Sequence, residues 1–184
     1  EAGSQSLDDI DDVYQANISI KVAPVSLEEV KMTKYNQTVF SALHLPTLET
    51  EYLNHLIEKK VTAIAYEYIK DEYGRFPIVR AISEIAGSAA ILIGSEYLSN
   101  TNNGQGILLG GIAGVPPARV VILGAGAVGE YATRTALGLG AEVRVFDNSI
   151  YKLMRLQNNV NARVHTSIIN PALLSSELSK ADLV

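Results

Sequence analysis

The sequence predicts an α/β protein built from two parallel-sheet domains. Three observations carry that class. First, short apolar runs rich in β-branched residues alternate with longer stretches whose apolar positions recur at helical spacing. Parallel strands need long crossovers, so this alternation reads as strand–helix–strand units. Second, an apolar run at 120–123 enters Gly124-Ala125-Gly126-Ala127-Val128-Gly129 and then a small-residue helix pattern. Third, another apolar run at 142–146 follows that helix and ends on an acid, Asp147. Strand, glycine loop, helix, strand and acid in this order define the second domain as a Rossmann dinucleotide-binding fold. A glycine-rich bend alone would not bring that order with it.

The elements follow from the N-terminus. Residues 18–22 alternate as a strand and stop at Pro24, and Ser26 caps a helix over Leu27–Met32 with Glu28 and Glu29 in its first turn. Residues 38–43 form a second strand ending at His44, and Thr47 caps a helix to about residue 60. Its apolar positions Leu48, Tyr52, Leu53 and Leu56 recur at helical spacing. Residues 61–65 are a third strand. Runs at 66–69 and 76–79 around Asp71-Glu72-Tyr73-Gly74 suggest a small hairpin. A long helix at 81–99, rich in Ala, Gly and Ser on one side, is broken by 102–106. After the nucleotide unit come a helix at 149–158, a strand at 163–166 that His165 closes, a helix at 171–179 and a strand at 182–184. The domain boundaries are 1–80, a connecting helix with its break at 81–106, and 107–184.

Composition narrows the function. With 47% hydrophobic and 19% charged residues, the 184-residue chain can bury a substantial core. A net charge of −5 argues against a nucleic-acid partner. The absence of cysteine removes thiol catalysis and Cys-ligated zinc, no metal site is expected, and a reducing compartment fits. The acidic start lacks the order of a secretory signal, and the apolar stretch at 86–94, flanked by Glu84 and Glu96, reads as too short for a membrane span. A cytoplasmic protein with no membrane in this segment is the expectation. Glu1 in place of methionine, and a last strand with nothing after it, lead to the expectation of a fragment of a longer protein.

The glycine positions have separate physical roles. Gly124 permits the tight turn, Gly126 lets backbone approach a pyrophosphate, and Gly129 lets helix and strand pack closely. Ala127 and Val128 lie at the helix N-terminus, where free N–H groups and the positive dipole end face the phosphates. Asp147, 23 residues after Gly124, is placed to accept the ribose hydroxyls. It would repel a 2′-phosphate, and the next residue is Asn148 rather than an arginine, so NAD is expected over NADP. Arg144, within the strand, and Lys152, a helical turn beyond, do not rescue NADP.

The segments KVAP at 21–24, ALHLP at 42–46, TAIAYE at 62–67, SEIAG at 83–87, GGIAGVPPARVVILGAGAVG at 110–129 and VFDNSIYKL at 145–153 resemble the alanine dehydrogenase family in order and spacing. The NAD-binding domain of nicotinamide nucleotide transhydrogenase shares much of this pattern. With the His165-Thr166 pair, the lysine and Leu-His-Leu segments look closer to alanine dehydrogenase. The resemblance implies an NAD-dependent oxidoreductase interconverting L-alanine with pyruvate and ammonia, assembled as a homo-oligomer. It further implies that Lys21 polarises the pyruvate carbonyl oxygen or holds the carboxylate. His44 would act as general acid/base, Ser83 would contact the cofactor, and Lys152 would sit near the adenosine ribose.

Without the resemblance, Lys21 reads as a solvated strand cap and His44 as a part-buried packing histidine. His55 reads as surface. The family's usual Lys-Val-Lys-Glu-Pro is Lys21-Val22-Ala23-Pro24 here, which leaves the substrate open rather than the cofactor. The resemblance puts the arginine that grips the carboxylate before Glu1 and a catalytic aspartate after Val184, so the fragment alone is expected to be inactive. The alternative is an NAD(H)-binding subunit of a transhydrogenase.

Overall fold

The computed structural model, which describes Gly3 and residues 5–184, divides at the start of the longest helix into two units, Glu1–Val79 and Arg80–Val184. The first opens with a single turn, α1 (Ile10–Val13), capped by Asp9, whose carboxylate accepts the Asp11 N–H at 3.0 Å. It continues with β1 (Ile18–Ile20), α2 (Leu27–Met32), β2 (Thr38–Ser41), α3 (Thr50–Glu58) and β3 (Thr62–Ala65). All three strands are parallel in the order β1-β2-β3, with Ile20, Phe40 and Ile64 in register. Ser26 caps α2 as expected, and its partner Glu29 closes a full capping box. α2 and α3 pack on the sheet through Val25, Val30, Val39, Tyr52 and Leu56. Each such buried side chain contributes about 1.5–3 kcal/mol.

Four sequence expectations need correction in this unit. β1 stops at Ile20 rather than residue 22; Lys21 still donates its N–H to Phe40 O at 2.9 Å, and then the chain turns toward Pro24. β2 stops at Ser41 rather than residue 43, because its partner strand ends at Ala65. Thr47 does not cap α3. His44 adopts a left-handed conformation (φ 50°), Leu45–Thr47 form a 3-10 turn, and the Thr47 hydroxyl donates to His44 O, so the helix starts only after Glu49. No hairpin forms at 66–79. Tyr66–Tyr68 is a 3-10 turn, and Asp71 accepts the Tyr73 and Arg75 N–H groups in a local turn. Pro77 then opens a helix, where its missing N–H costs nothing.

That helix, α4 (Pro77–Leu98), begins four residues earlier than expected. The apolar stretch at 86–94 lies inside its 22 residues, so by length and composition the helix is sufficient to cross a membrane. One side of it is committed to protein: Gly87, Ile91 and Gly94 are buried. The rest of the second unit is β4 (Arg119–Leu123), α5 (Ala127–Gly138), β5 (Glu142–Asp147), α6 (Ile150–Asn159), β6 (His165–Ile168) and α7 (Pro171–Leu178). β6 starts two residues later than expected, so His165 opens that strand instead of closing it.

The strands pair in parallel in the order β4-β5-β6, and Leu183 bridges Val120 in parallel on the other side of β4. Chain order therefore reverses at β4, the arrangement of a Rossmann half-sheet. Residues 182–184 pair through this single bridge rather than as a full strand. The core runs from Ile91 through Val120, Ala136, Val145 and Leu156 to Val164.

Candidate functional site

The β4–α5 turn is shaped by what its glycines cannot carry. Gly124 has φ +105°, a conformation side chains disfavour. A Cβ on Gly129 would lie 1.8 Å from Gly124 O, so helix and strand meet there at backbone distance. A Cβ on Gly126, by contrast, would meet nothing within 4 Å. Gly126 is also the N-cap of α5, with no side chain capping the helix. Open ground therefore stands in front of unsatisfied N–H groups and the positive end of a twelve-residue helix, which fits a pyrophosphate.

A cleft of about 540 Å³ spreads from this point, lined by Ser83, Gly124, Gly126, Ala127, Val128 and Leu183 among others. It lies at the carboxyl end of β4, beside the point where strand order reverses. Ser83 reaches it because α4 packs on α5 without a side chain between them: a Cβ on Gly87 would lie 2.2 Å from Val128 O.

Asp147 closes β5 beside the loop and is 4% exposed. One carboxylate oxygen accepts the Ala125 N–H and the other the Ser149 N–H, both at 2.7 Å. Donation from Ala125 lowers its pKa, burial works in the opposite direction, and Ser149 and Lys152 add to the lowering. The acid expected to accept ribose hydroxyls thus already ties the glycine loop to the sheet. The carboxylate has acceptor capacity beyond these bonds for a ligand. Lys152 Nζ stands 4.0 Å from it, and Asn148 is exposed beside it. Arg144 is occupied by Glu142 and Glu177, each at 2.7 Å. The sequence reading missed Arg155, whose guanidinium donates to Ala125 O at 3.1 Å. It lies two helical turns beyond Asp147, outside any motif window.

In the first unit, Lys21 and His44 stand beyond the carboxyl ends of adjacent parallel strands, the edge where α/β sheets bind ligands. Lys21 is not a free solvated cap. Its Nζ donates to both Glu29 oxygens, at 2.5 and 2.6 Å. Burial raises the Glu29 pKa, but Lys21 and Ser26 outweigh it and hold the carboxyl below its usual value. His44 is exposed rather than part-buried, and its N–H donates to Glu67 Oε1 at 2.9 Å. His55 lies on α3 between Glu51 and Glu58, at 3.7 and 3.8 Å, and is half-buried rather than fully at the surface. Among the described residues, no group of three or more His, Asp or Glu could hold a metal ion.

A parallel sheet whose strand order reverses beside a glycine loop and a helix N-terminus defines a dinucleotide-binding α/β protein. Comparison with known proteins narrows the class. The family model for the alanine dehydrogenase/PNT N-terminal domain matches residues 1–86, and that for its C-terminal domain matches residues 90–184. The chain belongs to the alanine dehydrogenase/PNT family.

Over its full length it is 37% identical to the alanine dehydrogenase of Staphylococcus epidermidis and 36% identical to alanine dehydrogenase 2 of Staphylococcus aureus, covering 49% of each. A solved L-alanine dehydrogenase superposes over 99% of this chain and 50% of its own, with a TM-score of 0.88 and 34% identity. A transhydrogenase from Sinorhizobium meliloti shares the fold over 95% of this chain and 51% of its own, with a TM-score of 0.76 and 21% identity. The chain spans about half the length of the curated relatives it matches.

Proposed function

We propose that this chain is part of an NAD-dependent alanine dehydrogenase that interconverts L-alanine with pyruvate and ammonia. The observation that carries the reading is the placement of a lysine and a histidine at the ligand-binding edge of one parallel sheet, in a chain that also holds a dinucleotide cleft. Residues 1–80 form the substrate side, 81–106 the connecting helix and 107–184 the nucleotide side. Gly124, Gly126, Ala127, Val128 and Gly129 would hold the pyrophosphate, Asp147 and Asn148 the ribose, and Ser83 and Lys152 the rim. A dinucleotide held there would provide hydride chemistry at the substrate carbon. Lys21 places a cation against the substrate oxygen, where negative charge develops, and the Glu29 pair aims that cation. The His44 imidazole can give a proton to the departing oxygen or take one from attacking water. The full-length protein should oxidise NADH when pyruvate and ammonia are both present. Tight NADH binding without turnover of any small 2-oxo acid would move the reading to a transhydrogenase-type binding subunit.

Two further parts belong to this reading. The homo-oligomer is supported by α4, whose Ile82, Ile85, Leu92, Ile93 and Tyr97 are exposed at helical spacing; sedimentation of the full-length protein as a monomer would remove it. A cytoplasmic location is supported by a sequence without cysteine, and cell fractionation tests it.

The choice of NAD rests on Asp147. Calorimetric titration should show NADH binding more tightly than NADPH, and Asp147→Ala should narrow the difference by about 1–3 kcal/mol. Equal affinities in the wild type would sink the choice. Asp147 also gives a pH signature. Its pKa is lowered on folding, so its contribution to stability is complete above the ordinary carboxylate value and lost as pH falls through the depressed one. Acid unfolding should therefore be shallower in Asp147→Ala.

A further inference from the structure

We infer that the consecutive residues Tyr66 and Glu67 form the positioning element of the proposed active site, each fixing the loop that carries one functional side chain. The inference rests on the roles given above to Lys21 and His44, and it assigns work to residues those roles leave unused. β3 ends at Ala65 and the chain turns at once into the 3-10 turn Tyr66–Tyr68. That turn sends two adjacent side chains back to the loops following the other two strands of the sheet.

Tyr66 is buried, and its hydroxyl donates to the carbonyl oxygen of Val22, the residue after Lys21. In the order β1-β2-β3, that bond must cross β2, which only a long side chain can do. The Tyr66 ring meets Phe40 of β2 on the way, with centroids 6.1 Å apart. Glu67 serves the middle strand. Its Oε1 accepts the N–H groups of Leu43 and His44, both at 2.9 Å.

Two features separate this from ordinary loop anchoring. His44 sits in the left-handed region, which a residue with a Cβ adopts at a cost, and the Glu67 carboxylate offsets that cost with a charge-assisted bond to the same residue. The turn that aims the imidazole therefore depends on Glu67. Moreover, Glu67 Oε2 is buried without a hydrogen-bond partner among the described residues. One oxygen does all the anchoring, so a neutral amide of the same shape keeps both bonds in place, without their charge assistance. Tyr66 acts likewise through backbone: a hydroxyl on Val22 O sets the exit of the loop while Lys21 Nζ is held separately by Glu29.

The test uses the full-length protein and reads hydrogen–deuterium exchange beside steady-state kinetics. In Glu67→Ala, the amides of Leu43 and His44 should exchange about tenfold faster or more, and kcat should fall at least as much with NADH affinity unchanged. Glu67→Gln should keep slow exchange and most of kcat. Tyr66→Phe should speed exchange at the Lys21 amide, now bonded to Phe40 O, and raise KM for pyruvate more than it lowers kcat.

Wild-type exchange at 43–44 in Glu67→Ala overturns the inference whatever the activity. So does slow exchange with Ala-like kcat in Glu67→Gln, which would make Glu67 a participant rather than a support. A wild type that cannot turn over pyruvate overturns the function reading instead, while the exchange data still decide the anchoring. If Glu67→Ala fails to fold, Glu67→Gln and Tyr66→Phe, which remove no buried volume of consequence, carry the decision.

Discussion

Replacing His44 with alanine in the full-length protein should lower NADH oxidation with pyruvate and ammonia by about 10²–10⁴ while leaving NADH affinity nearly unchanged. The split follows from where the residue stands. His44 follows β2 in the first unit, whereas the glycine loop and Asp147 belong to the second, so loss of the imidazole leaves those nucleotide-binding groups intact. Backbone geometry adds a second effect that must be kept apart from chemistry. At φ 50°, alanine adopts the left-handed turn less readily than histidine. Asparagine tolerates that conformation and cannot carry a proton as an imidazole does. His44→Asn should therefore lose turnover as His44→Ala does, while keeping the slow exchange of the turn. Equal turnover in wild type and His44→Asn would leave this histidine an exposed loop residue with no part in the chemistry.

Much of this was legible in the sequence, and what was not has physical reasons. The order of strand, glycine loop, helix and acid located the second sheet because each part is local in sequence. Gly124, Gly126 and Gly129 fall within six residues, and their separate steric roles appear in the structure as one strained φ, one open face and one backbone contact. The placement of Lys21 and His44 at one sheet edge was also readable, since parallel strands align their carboxyl ends. The errors lie where tertiary pairing decides. β1 and β2 looked longer than they are because apolar character continues past the point at which a partner strand exists. Thr47 looked like a cap because a Thr precedes an amphipathic run, but Pro46 and the left-handed His44 use that position for a 3-10 turn. Tyr66–Val22, Glu67–His44 and Asp147–Ala125 join residues 44, 23 and 22 positions apart, and no periodicity reports such pairs.

Two alanine substitutions three residues apart should have opposite signatures, and together they test what the glycine loop is for. Gly129→Ala places a Cβ 1.8 Å from a backbone oxygen, which no rotamer change can relieve. The helix must move away from β4, and the expected loss is about 3 kcal/mol or more, seen as a lower unfolding midpoint with or without NADH. Gly126→Ala meets no atom of the protein, and its φ of −75° suits alanine, so stability should stay within about 0.5 kcal/mol of wild type. Its methyl group would project into the open ground before the α5 N-terminus. If that ground receives the pyrophosphate, NADH affinity should fall about tenfold or more, because the phosphate can no longer approach the N–H groups closely. Thermal unfolding and NADH titration of the two full-length variants read both effects. A folded Gly126→Ala protein that binds NADH like the wild type would show that the nucleotide does not sit against this helix, and the glycine pattern would then be explained by the strained turn at Gly124 and the packing at Gly129.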